Sequence, residues 1–399
     1  MQWIEWLVEK FGAFVAMTMS DGWLKDMVVD GVIGGVGSVL VFLPNILLLY
    51  MFISLLEDSG YMARAAFIMD RLMHKIGLHG KSFIPMIMGF GCNVPAVMAT
   101  RTIESPKSRL ITMLIIPLMS CAGRMPVYIL LAGAFFPRRA GLVLLGLYAL
   151  GILLAIVAAR IMSRFFKDDD LPFVMELPPY RVPTAKSIFR HTWEKGKLYL
   201  QKMSGVILIF SVVIWFLGYF PNHNAYDSVK EQQEHSFIGY IGKAMEPVLE
   251  PLGFDWRMGV GIVAGVGAKE LVVSTLGVMY APEEPVEGLT SGNGADLVLT
   301  DGSQPEATYV HLEQDMRHAG EESAGDTRLQ KALLRSVTPA ASLAYMVFIL
   351  LYFPCIATFV AIKKESGGWK WAIFTAVYTI ALAWVAAFVT FRIALLCGL

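Results

Sequence analysis

The sequence predicts an all-α polytopic membrane protein, a helical bundle with two pseudo-repeated halves, each holding a broken or re-entrant helix. Three observations carry that prediction. Of 399 residues, 56% are hydrophobic and 17% charged, against about a quarter charged in soluble domains, and mean hydropathy is +0.57. Apolar stretches recur that approach or exceed the roughly 20 residues a spanning helix needs. Two such stretches are broken by glycines beside polar residues: Gly89-Phe90-Gly91-Cys92-Asn93-Val94-Pro95 and Gly265-Val266-Gly267-Ala268-Lys269-Glu270-Leu271. Broken backbone at membrane depth persists only where it lines a cavity or is buried in protein. A pair of breaks in corresponding halves points to a transport site.

Residues 1–30 read as an N-terminal interfacial amphipathic segment. Glu5, Glu9, Lys10, Asp21, Lys25 and Asp26 alternate there with Trp3, Trp6, Phe11 and Trp23, a composition suited to the membrane surface and unlike a cleavable signal peptide. The first membrane half, 31–166, offers spans at 31–56, 110–136 and 141–165, with the interrupted stretch 83–100 between them. Arg64, Arg71, Lys75 and Lys81 mark 58–81 as cytoplasmic. A segment at 167–202 carries Arg181, Lys186, Arg190, Lys195, Lys197 and Lys202, also cytoplasmic by charge. Its prolines (Pro172, Pro178, Pro179, Pro183) read as a connector before a short helix near 187–199. The second membrane half, 203–399, offers spans at 203–220, 258–280, 339–362 and 369–396. Its acidic loop, 281–330, is rich in Gly, Ser and Asp and reads as a mobile external segment. With Lys363-Lys364 inside, 83–100 and 258–280 are either both re-entrant or both spanning.

A weak internal repeat accompanies this order. Each half has a Gly-x-Gly break followed by a helix with a mid-membrane cysteine near a proline: Cys121 in Ser120-Cys121-Ala122-Gly123-Arg124-Met125-Pro126, and Cys355 in Phe353-Pro354-Cys355. Such repeats usually frame a central substrate site.

Several classes are excluded. Lys plus Arg equals Asp plus Glu at 33 each, so no nucleic-acid partner is expected. The four cysteines lack a CxxC and are too scattered for a disulfide scaffold. No Ser/His/Asp set, metalloprotease motif or cofactor fingerprint supports an enzyme.

Cys92 is the leading candidate metal ligand. A thiol suits Fe(II) and similar ions better than Ca or Mg, and the glycines and proline around it free backbone carbonyls. The competing reading is a small buried apolar residue. Asn93 is either a ligand or the cap of the half-helix that follows. Cys121 and Cys355 hold matching places in the repeat, and Met119 and Met125 flank Cys121 as thioether candidates; most of the 22 methionines fill gaps between helices. Glu270, ionisable at membrane depth, is a cation ligand or proton relay, or else Glu270 and Lys269 pair with partners elsewhere and hold the gate together. Arg124 avoids lipid, with a salt bridge to Glu270 as one expectation. Glu57 and Asp58 are a cation-attracting mouth or a charged helix end. His74 and His79 read as solvated.

The residues also resemble the membrane domain of FeoB ferrous-iron transporters, from about residue 31 to 392. The most specific pieces are Leu56-Glu57-Asp58-Ser59-Gly60-Tyr61-Met62-Ala63-Arg64-Ala65-Ala66-Phe67, the stretch around Cys92, Phe173-Val174-Met175-Glu176-Leu177-Pro178, and Ala268-Lys269-Glu270-Leu271-Val272-Val273. The resemblance implies Gate motifs at 83–103 and 260–280 lining an ion path, a cytoplasmic core segment at 167–202, Fe(II) as the transported ion, and the bacterial cytoplasmic (inner) membrane. It raises the expectation of function for Glu57 and Asp58. It further implies a GTP-binding domain, a small cytoplasmic accessory protein, membrane lipid and a possible homo-oligomer as partners. The sequence departs from the family in having no Gly-x-x-x-x-Gly-Lys-Ser/Thr loop: Gly196-Lys197 has His191 where the upstream glycine belongs. GTP hydrolysis is therefore expected to be supplied in trans, dispensed with, or on a missing part. Other readings are a nucleoside carrier, a manganese or zinc transporter, and a non-transporting scaffold for a separate GTPase. Gly31, Gly34, Gly35 and Gly37 offer a small-residue face for packing between or within chains.

Overall fold

The computed structural model describes residues 2–19, 22–165, 180, 183–221, 229–280 and 328–398. Among them all regular structure is helical. The acidic loop up to residue 327, and residues 167–179 and 181–182 of the core segment, lie outside the described residues.

The first half begins with α1 (Gln2–Thr18), whose Trp3, Phe11, Phe14 and Met17 are exposed, as a helix against lipid requires. Then α2 (Trp23–Asp26) runs through a π-helical stretch (Met27–Ile33) into α3 (Gly34–Asp58). The helical run toward the first span thus starts before residue 30. At 25 residues, α3 is long enough to cross a bilayer. Gly60, at φ 77°, turns the chain into α4 (Tyr61–Ile76), and the axes of the two helices diverge by 79°. α4 buries Met62, Ala66, Met73 and Ile76 along one face, the spacing of an amphipathic helix. Then come α5 (Phe83–Gly91), α6 (Asn93–Ala99), α7 (Pro106–Ile115), α8 (Met125–Phe135) and α9 (Ala140–Phe165).

The second half repeats this order. α10 (Ala185–Tyr219) is one helix of 35 residues, uniting what the sequence suggested were a short cytoplasmic helix and a span. It leads to α11 (Val229–Glu234) and the amphipathic α12 (Phe237–Leu249). Next are α13 (Trp256–Gly267), α14 (Leu271–Tyr280), α15 (Arg328–Ser336), α16 (Pro339–Leu351), α17 (Ile356–Ser366) and α18 (Trp369–Leu396). Each half therefore contains a span, an amphipathic helix, a broken pair, a broken span and a final span. Four helical runs are long and apolar enough to cross a membrane, Pro106–Phe135, Ala140–Phe165, Pro339–Ser366 and Trp369–Leu396, or up to six if two bent pairs are each one span. The seven spans read from sequence are not all present, because 258–280 is not one of them.

Both broken pairs are hairpins that return to the side they left. Tyr280 at the end of α14 donates its hydroxyl to Asp255, the N-cap of α13, at 2.7 Å. Lys81, just before α5, pairs with Glu104, just after α6, at 2.6 Å. Halves of 9, 7, 12 and 10 residues are too short to cross singly, so the alternative left open by sequence resolves as both re-entrant.

The two halves are inverted. At the end of α3, Glu57 pairs with Lys195 (2.6 Å) and Asp58 accepts from Ser187 (3.0 Å), both near the start of α10. At the other end, Gly31 accepts from Ser211 (3.0 Å) and Asp26 from Tyr219 (2.9 Å). α3 and α10 are thus antiparallel. The first hairpin opens where α3 ends, and the second where α10 ends. The Gly31 and Gly35 faces close on Trp215 and Ser211, and Gly37 on Val8: the small-residue stripe serves packing within this chain. α18 shows the same device, turning Ala372, Ala376, Thr379, Ala383 and Ala387 inward while Val377, Val385 and Ile393 stay exposed, as close packing between membrane helices favours.

Candidate functional site

Four backbone breaks define the centre of the molecule. The tip of the first hairpin is Cys92, whose extended backbone (φ −152°, ψ 131°) separates α5 from α6. The tip of the second is Ala268–Glu270, where Ala268 is likewise extended. Between α7 and α8 the chain leaves helical geometry at Met119–Cys121, and between α16 and α17 at Tyr352–Cys355. Each break leaves carbonyls without helical donors.

The breaks come together. A Cβ on Gly89 would sit 3.1 Å from Met119 Cβ, so the first hairpin lies against the first broken span. A Cβ on Gly123 would lie 3.2 Å from a carboxylate oxygen of Glu270, which puts the second hairpin against that span too. Lys269 Nζ donates to the Phe353 carbonyl at 2.7 Å, tying the second hairpin to the second broken span. Cys92 and Cys355 pack on one apolar cluster, and the Glu270 carboxylate lies against Gly123, two residues from Cys121. Close approach depends on missing side chains: at Gly265 a Cβ would strike the Tyr352 hydroxyl and Val272, and at Gly267 the Phe210 ring.

The donors keep distinct local partners. Cys355 caps α17 and exchanges a hydrogen bond with Thr358 (3.1 Å). Cys92 and Cys355 both pack against a cluster containing Tyr50, Met88, Val97 and Tyr199. Asn93 is 4% exposed, and its Oδ1 has no hydrogen-bond partner among the described residues. It stands one position inside α6, after the N-cap Cys92, so it does not cap that half-helix. Met119 is buried and Met125 accepts from Tyr148 (3.2 Å), leaving Met119 the freer thioether. Among the described residues, no group of three or more His, Cys, Asp or Glu is placed to hold a metal ion together. The predicted ligands therefore gather in one region without closing on a point.

Other expectations are redirected. Arg124 is fully buried but does not pair with Glu270. It donates to the carbonyls of Met119 (2.8 Å) and Pro117 (3.1 Å), replacing donors lost at the helix break. Glu57 and Asp58 are engaged by α10, as above, rather than lining the centre. His74 and His79 close the turn after α4, through the Leu78 carbonyl (3.1 Å) and the Lys81 amide (3.2 Å). Burial, with Lys81 beside it, holds His79 below the usual imidazole range. Tyr50 and Tyr199, which interact electrostatically with Cys92, were not singled out from sequence. Their distance from the motifs along the chain hid them.

Comparison with known proteins agrees with this architecture. The Gate family, described as "Nucleoside recognition", matches residues 39–135 and 200–369, and the family "Ferrous iron transport protein B C terminus" matches 144–195. A fusion of Fe(2+) transport protein A and Fe(2+) transporter FeoB from Porphyromonas gingivalis is 52% identical over 99% of this chain and 47% of its own length. The Fe(2+) transporter FeoB of Staphylococcus aureus (strain MSSA476) is 40% identical over 97% of this chain and 54% of its own length. That of Campylobacter jejuni is 38% identical over 99% and 59%. The chain thus spans about half the length of these curated relatives. No solved structure matches. On both family matches and these relatives, the chain belongs to the FeoB ferrous-iron transporter family and represents its Gate-bearing membrane part.

Proposed function

We propose that this chain conducts ferrous iron across the bacterial cytoplasmic membrane, along a path that narrows where the two hairpin tips meet the two broken spans. What supports this reading is that Cys92 and Cys355 share one apolar cluster at the breaks, and that the Glu270 carboxylate lies against Gly123, two residues from Cys121. Thiol donors beside one carboxylate suit a borderline transition metal better than Ca or Mg. They also suit a metal better than a nucleoside, despite the description attached to the Gate family. Met119 and the orphaned Asn93 Oδ1 supplement the set. The donors do not form a closed cage, which fits an ion that must leave as well as enter. Glu57 and Asp58 act in this reading at the end of α3, outside the narrow centre.

The lysine- and arginine-rich side, where α3 ends and α10 begins, faces the cytoplasm in this reading. A GTP-binding domain acts there in this reading, in trans or on a part of the protein outside this sequence, or is dispensed with. A small accessory protein is a further partner; one relative carries Fe(2+) transport protein A fused to it. Anaerobic uptake of radiolabelled Fe(II) into proteoliposomes tests the reading. Wild type should take up iron, and Cys92→Ala and Cys355→Ala should each lower the rate at least about tenfold, roughly one lost ligand's worth of free energy. Equal uptake by wild type and both variants would remove the thiols from the path. Absence of uptake until a GTP-binding partner is added would place the energy source in trans.

A further inference from the structure

The second hairpin places a lysine where a transported cation would pass. Lys269 is 3% exposed. Its ammonium is 2.7 Å from the carbonyl of Phe353 and 3.2 Å from the centroid of the Tyr352 ring. Both acceptors belong to the break between α16 and α17. Carbonyls freed at a helix break, and the face of an aromatic ring, are cation-binding groups. Lys269 Cβ and the Glu270 carboxylate both lie against Gly123, so the lysine stands among the groups assigned above to the ion. Yet among the described residues it makes no ion pair: the nearby Glu270 carboxylate lies against Gly123. Arg124, the other buried cation, is committed to the Met119 and Pro117 carbonyls.

We infer that the Lys269 ammonium is a tethered substitute for the transported ion: it occupies the Phe353 carbonyl and the Tyr352 face while the path is empty, and an arriving divalent cation displaces it. Glu270, the next residue, then stands beside the incoming ion. The positive charge of the ammonium also keeps weakly held monovalent cations from the same groups. The inference deepens the ion path proposed above and rests on it.

The test uses the purified chain in proteoliposomes, with Mn(II) as an air-stable probe and with reduced Fe(II). Lys269→Met keeps the length of the side chain and removes its charge. It should lower the half-saturating metal concentration by about tenfold, as loss of a like charge a few ångströms from the ion does, and open a K⁺ leak that wild type lacks. Lys269→Arg keeps the charge and should show neither change. In wild type, saturating Mn(II) should raise acylation of Lys269 by a small amine reagent, read by mass spectrometry of its peptide, because the displaced amine leaves its acceptors. Unchanged half-saturation and no leak in a folded Lys269→Met would overturn the inference. So would metal-independent labelling of wild type, and that measurement still decides if the variant does not fold. Failure of the underlying ion path looks different: Cys92→Ala then transports like wild type, or neither transports.

Discussion

At Gly265 and Gly267 an added methyl would meet the Tyr352 hydroxyl, Val272 or the Phe210 ring. Gly267→Ala should therefore cost about 1–3 kcal/mol as overpacking, seen as a lower thermal transition in detergent, while Gly141→Ala, with open space around it, should cost nothing measurable. Arg124 offers a second test. Arg124→Met leaves two buried carbonyls without donors, an expected loss of about 2–5 kcal/mol, and Arg124→Lys restores only part of it because one ammonium cannot reproduce a forked pair. The sequence exposed these positions unevenly. Cys92 and Glu270 were legible as candidates because Cys92 stands beside Gly91 and Glu270 is an ionisable residue three positions after Gly267 in an apolar run. The partners of Arg124 and Lys269 were not, because they are backbone carbonyls, identical in every residue and released only by the geometry of breaks elsewhere in the chain. A buried cation two to five residues from a predicted break was the available signal.

Helical elements were legible by length, as the spans near 110–136, 141–165 and 369–396 show. Their ends were not read: Thr338 caps α16 and Asp255 caps α13. Re-entrance was not legible, since it depends on which ends meet. Asp255 does two things at once: it caps α13 and receives Tyr280. Tyr280→Phe keeps the cap and removes the tether; Asp255→Ala removes both and should cost about 1–2 kcal/mol more. Hydrogen exchange at the amides of α14 should rise in both, further in Asp255→Ala; equal exchange would mean the hairpin is held by packing alone. On the other side, Glu365 at the end of α17, its side chain 4% exposed, receives Arg101 and Arg109 from either side of the loop after α6. It binds the first hairpin to the second half. Glu365→Gln should destabilise by about 1–3 kcal/mol, discounted because Arg101 is half exposed. The Glu57–Lys195 pair is more open still, and Lys195→Ala should change stability by under about 1 kcal/mol.

For the whole molecule, the inverted halves predict labelling from opposite faces. Single cysteines at exposed Glu104 and Glu250, with exposed Cys397 replaced by serine, should react with an impermeant maleimide from opposite sides of a sealed vesicle. Labelling of both from one side would refute the inversion. The repeat was visible in sequence as paired breaks, but its inversion was hidden in contacts between α3 and α10 that lie over a hundred residues apart. Those two back-to-back hairpins also set how the membrane voltage acts. A nine-residue α5 rises about 14 Å, near half of the roughly 30 Å hydrocarbon thickness. Each hairpin tip thus stands about half-way across. In the ion path proposed above, a divalent ion that crosses the whole membrane gains about 4.6 kcal/mol per 100 mV. A potential negative inside would then pull such an ion inward past the depth of the thiols.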